Sequence, residues 1–194
     1  MRRIIVFDRV SADGSFSDAQ GGLGWVVPEP ALDAEAAGGL RGTGAMLFGR
    51  RTYEMFESFW PHAGDEDPHA PGRHTPEIRA MAAWINSAEK VVFSRTRTEV
   101  PWRNSRVIPQ FDPAVVEELK RGEGNDFMVF GSGSIVTLLA RHGLVDEFQL
   151  IVTPKLLGSG RRLFGELPAD VPLELLDAKT FPEGNVRLRY APKR

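Results

Sequence analysis

Apolar positions along this chain fall into short continuous runs and helical stripes that alternate from the N-terminus onward. Arg3–Val10 carries Ile4, Ile5, Val6 and Phe7 in succession, as expected of a central strand covered on both faces. Ala45–Phe48, Lys90–Phe93, Phe127–Phe130 and Phe148–Val152 repeat that signature, and Arg106–Ile108 predicts a shorter strand. Helical spacing fills the intervals. The pattern predicts one helix over Ala31–Leu40 behind Pro30, and another after Gly49 that carries Tyr53, Phe56, Phe59 and Trp60. A third opens at Thr75-Pro76 and runs through Met81, Trp84 and Ile85, with a hydroxyl before proline as its start signal. The fourth covers Pro113–Lys120, and the fifth carries Ile135, Leu138, Leu139 and His142 until Gly143 ends it. Asp18–Gly24 and Pro61–Pro76 read as loops. Two strands close the chain, Leu173–Phe181 and Val186–Tyr190, joined by the turn Pro182-Glu183-Gly184-Asn185, which predicts a hairpin. This order predicts one mixed α/β domain over residues 1–194, its sheet parallel in the middle and antiparallel at one edge.

Composition narrows the function more than the fold. The chain of 194 residues has 42% hydrophobic and 26% charged residues, which suits a folded domain with a real core. A net charge of −2 gives no reason to expect nucleic acid or an anionic membrane as partner. No cysteine is present, which excludes disulfides, thiolate metal sites and cysteine nucleophiles. His62, His69, His74 and His142 lack metal-ligand spacing, so no metal is expected. The N-terminal apolar run breaks at Asp8, too soon for a signal peptide or membrane span. A cytoplasmic location follows as the expectation.

Candidate chemistry lies where strands end. Three are followed at once by small, hydroxyl or basic residues: Gly49-Arg50-Arg51-Thr52, Ser94-Arg95-Thr96 and Gly131-Ser132-Gly133-Ser134. Ligands of open α/β sheets bind beyond the carboxyl ends of the strands, so these turns can share one groove. Helix-start N–H groups, hydroxyls and guanidinium forks are the groups that hold phosphates. Ser132 or Ser134 is positioned to cap the last helix, and the same glycines also serve a plain strand-to-helix turn. The P-loop and GxGxxG patterns are both missing. Several phosphates on one small molecule, as in a dinucleotide, match three such turns best.

These phrases carry a resemblance. AMLFGRRTYEMF (45–56), KVVFSRT (90–96) and MVFGSGSIVTLLARHGLVDEFQLIVTPKLLGSGRRLF (128–164) resemble the dihydrofolate reductase fold. Within it they resemble the branch of the C-terminal reductase domain of the bifunctional riboflavin-biosynthesis protein (RibD), in standalone form. The resemblance implies a three-layer α/β fold, a mostly parallel sheet of about eight strands with helices on both faces, and NADPH across the strand ends. It implies that Gly49, Arg50, Arg51 and Thr52 face the cofactor phosphates. Ser94 and Arg95 would meet the adenosine 2′-phosphate, Gly131, Ser132, Gly133 and Ser134 the diphosphate, and Val10 and Ser11 the nicotinamide. Trp25, Phe56 and Trp60 are the candidate substrate contacts, and Asp13 and Glu29 the candidate catalytic carboxyls. Dihydrofolate reductases carry a second glycine where this chain has Ser132. Their substrate carboxylate falls on Pro30 when Trp25-Val26-Val27-Pro28 is laid on their Trp-x-x-Pro, with Glu29 and Asp33 nearby. The implied function is NADPH-dependent reduction of a small heterocycle, most like the ribosylaminouracil reductase step of riboflavin biosynthesis. A dihydrofolate or pteridine reductase, or a nucleotide-binding protein without catalysis, are the alternatives. A homodimer is the expected assembly.

Overall fold

The computed structural model describes residues 1–39, 43–63 and 75–193. Its strands are β1 (Ile4–Ser11), β2 (Ser15–Ser17), β3 (Thr43–Gly49), β4 (Glu89–Phe93), β5 (Ser105–Ile108), β6 (Asp126–Phe130), β7 (Glu147–Thr153), β8 (Arg161–Arg162), β9 (Leu173–Thr180) and β10 (Val186–Pro192). The helices are α1 (Pro30–Gly39), α2 (Arg50–Phe59), α3 (Pro76–Ser87), α4 (Pro113–Arg121) and α5 (Gly133–Arg141), with a 3-10 turn at Trp60–His62. His69, His74 and the end of the first predicted helix at Leu40 lie outside the described residues.

Eight strands form one sheet in the order β5-β4-β3-β6-β1-β7-β10-β9. All neighbours are parallel except at β10, which runs antiparallel to β7 and β9. The unbroken apolar run of β1 has its cause here, because alternate residues enter different cores. Ile4, Val6 and Val10 join Ile135, Val136 and Leu139 of α5 on one face. On the other face Ile5 packs with Met128, Trp84 and Phe130, beside a cluster of Phe48, Tyr53 and Ile85. Helices thus cover both faces, as the sequence predicts.

Capping follows local chemistry. Thr75 accepts the Ile78 N–H at the start of α3, and Asp112 accepts the Ala114 N–H at the start of α4, each before a proline. The closing hairpin forms at Phe181–Asn185. Beyond the predicted strands, β2 and β8 pair antiparallel as a separate ribbon. At three and two residues they are too short to leave a period in the sequence. No helix among the described residues is long and apolar enough to cross a membrane.

Candidate active site

The strand order sets β4, β3, β6 and β1 side by side. The three predicted turns follow β3, β4 and β6, and all of them line one cleft of ≈ 2270 Å³. The start of α2 at Gly49 and the start of α5 at Ser132 open into it, and neither has a side-chain cap or an acidic residue in its first turn. The contrast with the capped helices α3 and α4 is physical: first-turn N–H groups left without partners attract an anion. Arg50 and Arg51 at the start of α2 oppose the helix dipole unless an anion joins them.

The turn after β6 is held from both neighbouring strands. Gly131 and Ser132 take left-handed dihedrals in succession, with φ of 54° and 61°. Ser132 therefore adopts the conformation a second glycine would take, and its hydroxyl has a task glycine cannot perform. Its Oγ accepts the buried Gly49 N–H at 2.9 Å, tying the turn to β3. Ser132 occupies the N-cap position without capping, contrary to one expectation drawn from the sequence. Ser134 also lines the cleft. From β1, Asp8 Oδ1 accepts the Gly131 N–H at 2.6 Å. Burial pushes the Asp8 carboxyl well above the usual range, and the Gly131 N–H pulls it back by less.

Cationic groups concentrate at this end. Arg51, Arg95 and Arg161 line the cleft without an acidic partner among the described residues. Arg50 shares the exposed Glu54 carboxylate at 3.3 Å. Ser94 is buried, and its Oγ accepts the N–H groups of Thr96 and Arg97, which shapes the turn that carries Arg95. Thr52 lines the cleft from the first turn of α2.

Farther along, the wall becomes aromatic. Phe7, Phe56, Trp60 and Phe130 line it, with ring centroids 5.7 Å apart for Phe7–Phe130 and for Phe56–Phe130, and 6.0 Å for Phe56–Trp60. Beside them Arg9 Nη2 donates to Asp33 Oδ1 at 2.6 Å, while Arg9 Nη1 is buried without a partner among the described residues. Burial lowers the Arg9 pKa and raises that of Asp33, outweighing their mutual attraction in both cases. A flat apolar ring with a polar edge fits such a wall.

Not every sequence candidate reaches the cleft. Val10 is a core residue. Ser11 is buried and donates to Asp13 Oδ1 at 2.6 Å while accepting the Ser15 N–H. Asp13 also accepts the N–H groups of Leu157 and Gly158, so its oxygens organise a loop, and these bonds hold its pKa at about 2. Glu29 is buried and accepts the Glu183 N–H at 2.9 Å, joining the start of α1 to the hairpin turn. Trp25 is buried, with its Nε1 unpartnered among the described residues. None of these five lines the cleft. The carboxyls that do include Asp8 and Asp33. Asp33 lies near the substrate-carboxylate position of the resemblance, whereas Asp8 was missed, and two charges inside an apolar strand, Asp8-Arg9, were its available signal.

Comparison with known proteins agrees with this architecture. The family described as RibD C-terminal domain matches residues 2–187. The uncharacterized protein YyaP of Bacillus subtilis (strain 168) is 28% identical over 193 residues, covering 97% of this chain and 94% of YyaP. A putative riboflavin biosynthesis protein from Shewanella sp. PV-4 has a TM-score of 0.75 at 25% identity, with 99% of each chain covered. The dihydrofolate reductase of Enterococcus faecalis, complexed with NADP(H), has a TM-score of 0.65 at 11% identity over 99% of this chain and 97% of its own, a likeness of fold alone. With a match that spans the central sheet and all three strand-end turns, the chain belongs to the RibD C-terminal domain family, on the fold it shares with dihydrofolate reductase.

Proposed function

We propose that the protein is an NADPH-dependent reductase of a small, planar heterocycle. The observation that carries this reading is the meeting, in one cleft, of two uncapped helix starts and three arginines without acidic partners among the described residues. That is a receptor for several phosphates on one molecule. Family membership supports the reaction type, and the fold-mate complexed with NADP(H) supports the cofactor. When bound, NADPH supplies a hydride.

The chain's own residues position and electrostatically match the ligands. The N–H groups at Arg50–Thr52 and Gly133–Ser134, with Arg51, hold the diphosphate. Arg95, on the turn shaped by Ser94, meets the 2′-phosphate, where a bare ribose leaves a guanidinium without an anion. Phe7, Phe56, Trp60 and Phe130 hold the flat substrate by stacking and keep water from it. Arg9 and Asp33, joined by the Nη2–Oδ1 hydrogen bond, meet its polar edge. A ribosylaminopyrimidine of the riboflavin type is the first substrate to try. A dihydropteridine is the second, because Asp33 on α1 lines the same cleft.

Titration with NADPH and NADH, followed by quenching of the four tryptophans, tests the cofactor. NADPH is expected to bind more tightly than NADH. Arg95→Ala raises the NADPH Kd roughly 10- to 100-fold, the worth of one charge-assisted hydrogen bond, and leaves NADH unchanged. Failure of both nucleotides to bind overturns the reading. Equal affinities that Arg95→Ala does not touch overturn the preference for NADPH.

A further inference from the structure

Strands β1 and β6 part in the middle of the sheet. Their pairing runs from Ile4–Phe127 to Phe7–Phe130, whereas β1 continues against β7 as far as Ser11–Thr153. The next link across the resulting seam is the Asp8 side chain, through Oδ1 to the Gly131 N–H. Asp8 Oδ2 is closed to solvent and has no hydrogen-bond partner among the described residues, although the residue lines the cleft. The other buried carboxylate of the cleft, Glu147, differs in this respect. It receives Arg189 Nε at 2.7 Å and Gln149 Nε2 at 2.8 Å, and Arg3 lies 3.6 Å away. A buried carboxyl oxygen without a partner is rare, because desolvation is not repaid.

We propose that Asp8 is a ligand-contacting residue: its carboxyl turns on NADPH binding so that Oδ2, closed to solvent in the free protein, hydrogen-bonds to an uncharged oxygen of the cofactor next to the diphosphate, either a ribose hydroxyl or the carboxamide carbonyl. The inference rests on the NADPH reading above and adds a residue that the strand-end motifs do not contain. It follows from position, since Asp8 supports the turn on which the diphosphate rests, and from charge. On its own strand the neighbouring cation, Arg9, is paired with Asp33. From α2, Arg50 and Arg51 line the cleft, and from β8, Arg161 and Arg162. The start of α5 brings only glycine and serine, and β7 brings Leu150 opposite Asp8. Burial dominates the shift of Asp8 toward the protonated form. Oδ1 is already an acceptor for Gly131, so the proton resides on Oδ2 and makes it a donor. A phosphate oxygen would bring charge into this seam, whereas an uncharged oxygen accepts the proton without that cost.

The test compares NADPH affinity of the wild type and Asp8→Asn from neutral to alkaline pH, because burial shifts Asp8 toward the protonated form. The Asn variant keeps an acceptor for Gly131 and a permanent donor in place of Oδ2–H. Wild-type Kd is expected to rise about tenfold per pH unit once Asp8 ionises, while the variant stays flat. Ionisation of the 2′-phosphate acts on both proteins alike and cancels in the comparison. Repeating the titration with 2′-phospho-ADP-ribose separates the partners: the pH dependence persists if the ribose hydroxyl is the contact and disappears if the carboxamide is. Infrared difference spectra of the wild type with and without NADPH give a second readout that needs no variant, because a bonded Oδ2–H moves the protonated-carboxyl band. Parallel pH profiles, or an unmoved band if the variant does not fold, overturn this proposal and leave the reductase reading standing. No NADPH binding to the wild type at any pH overturns both.

Discussion

Replacing Ser132 separates two contributions that its position combines. Its Oγ is the acceptor for the Gly49 N–H, and both residues are buried. Ser132→Ala leaves that donor without a partner, at about 1–3 kcal/mol. The substituted residue must still occupy φ 61°, a left-handed conformation that costs any residue with a Cβ about 1–2 kcal/mol. Serine already bears that cost, so alanine adds nothing to it. Ser132→Gly loses the same hydrogen bond but sheds the backbone strain, while gaining about 0.4–1 kcal/mol of unfolded-chain entropy. The expected order is wild type, then Gly, then Ala, with Ala destabilised by about 1–3 kcal/mol and Gly by roughly 0.5–1 kcal/mol less. Urea unfolding, with unchanged slope across the three proteins, measures it. NADPH affinity should fall more in Ala than in Gly, because glycine keeps the turn's dihedrals without strain. An alanine variant as stable as the wild type, or Ala and Gly of equal stability, refutes the account of a strained turn held by a hydroxyl from β3.

Two further outcomes test the supports around the cleft. Asp13 has a folded pKa of about 2, below its unfolded value of about 3.9. Its stabilising contribution is therefore present above the unfolded value and is lost as pH falls through the folded one. Asp13→Asn should lower Tm at neutral pH, and the gap should close between about pH 4 and about pH 2; a gap that persists in acid contradicts the assignment. Lys120 Nζ lies 2.5 Å from Asp146 Oδ2 with both side chains largely buried, and Asp146 also accepts the Ile4 N–H. Lys120→Met should cost up to about 3–5 kcal/mol by taking the ammonium away from a largely buried carboxylate. Chemical denaturation should show most of that loss regained in Lys120→Met/Asp146→Asn, where the Ile4 N–H keeps an acceptor.

What the sequence determined by itself is whatever depends on neighbours in the chain. The unbroken apolar run of β1 required cover on both faces, because successive side chains of a strand leave on opposite sides. Asp112-Pro113 and Thr75-Pro76 marked helix starts, because capping acts across two or three residues. The three strand-end turns lay in the right places for the same local reason, and the resemblance they carried supplied the sheet on which they converge. Partners far along the chain were another matter. Asp8 reads as a break in an apolar run until the fold brings Gly131, 123 residues away, within 2.6 Å. Ser132 reads as a departure from a double glycine until Gly49, 83 residues earlier, presents its N–H. Asp13 and Glu29 look like acids for chemistry, yet the N–H groups of Leu157, Gly158 and Glu183 occupy them. Whether a carboxyl is buried, satisfied or left with a free oxygen depends on which distant backbone groups close on it. Packing of the whole sheet decides that, and no local period records it.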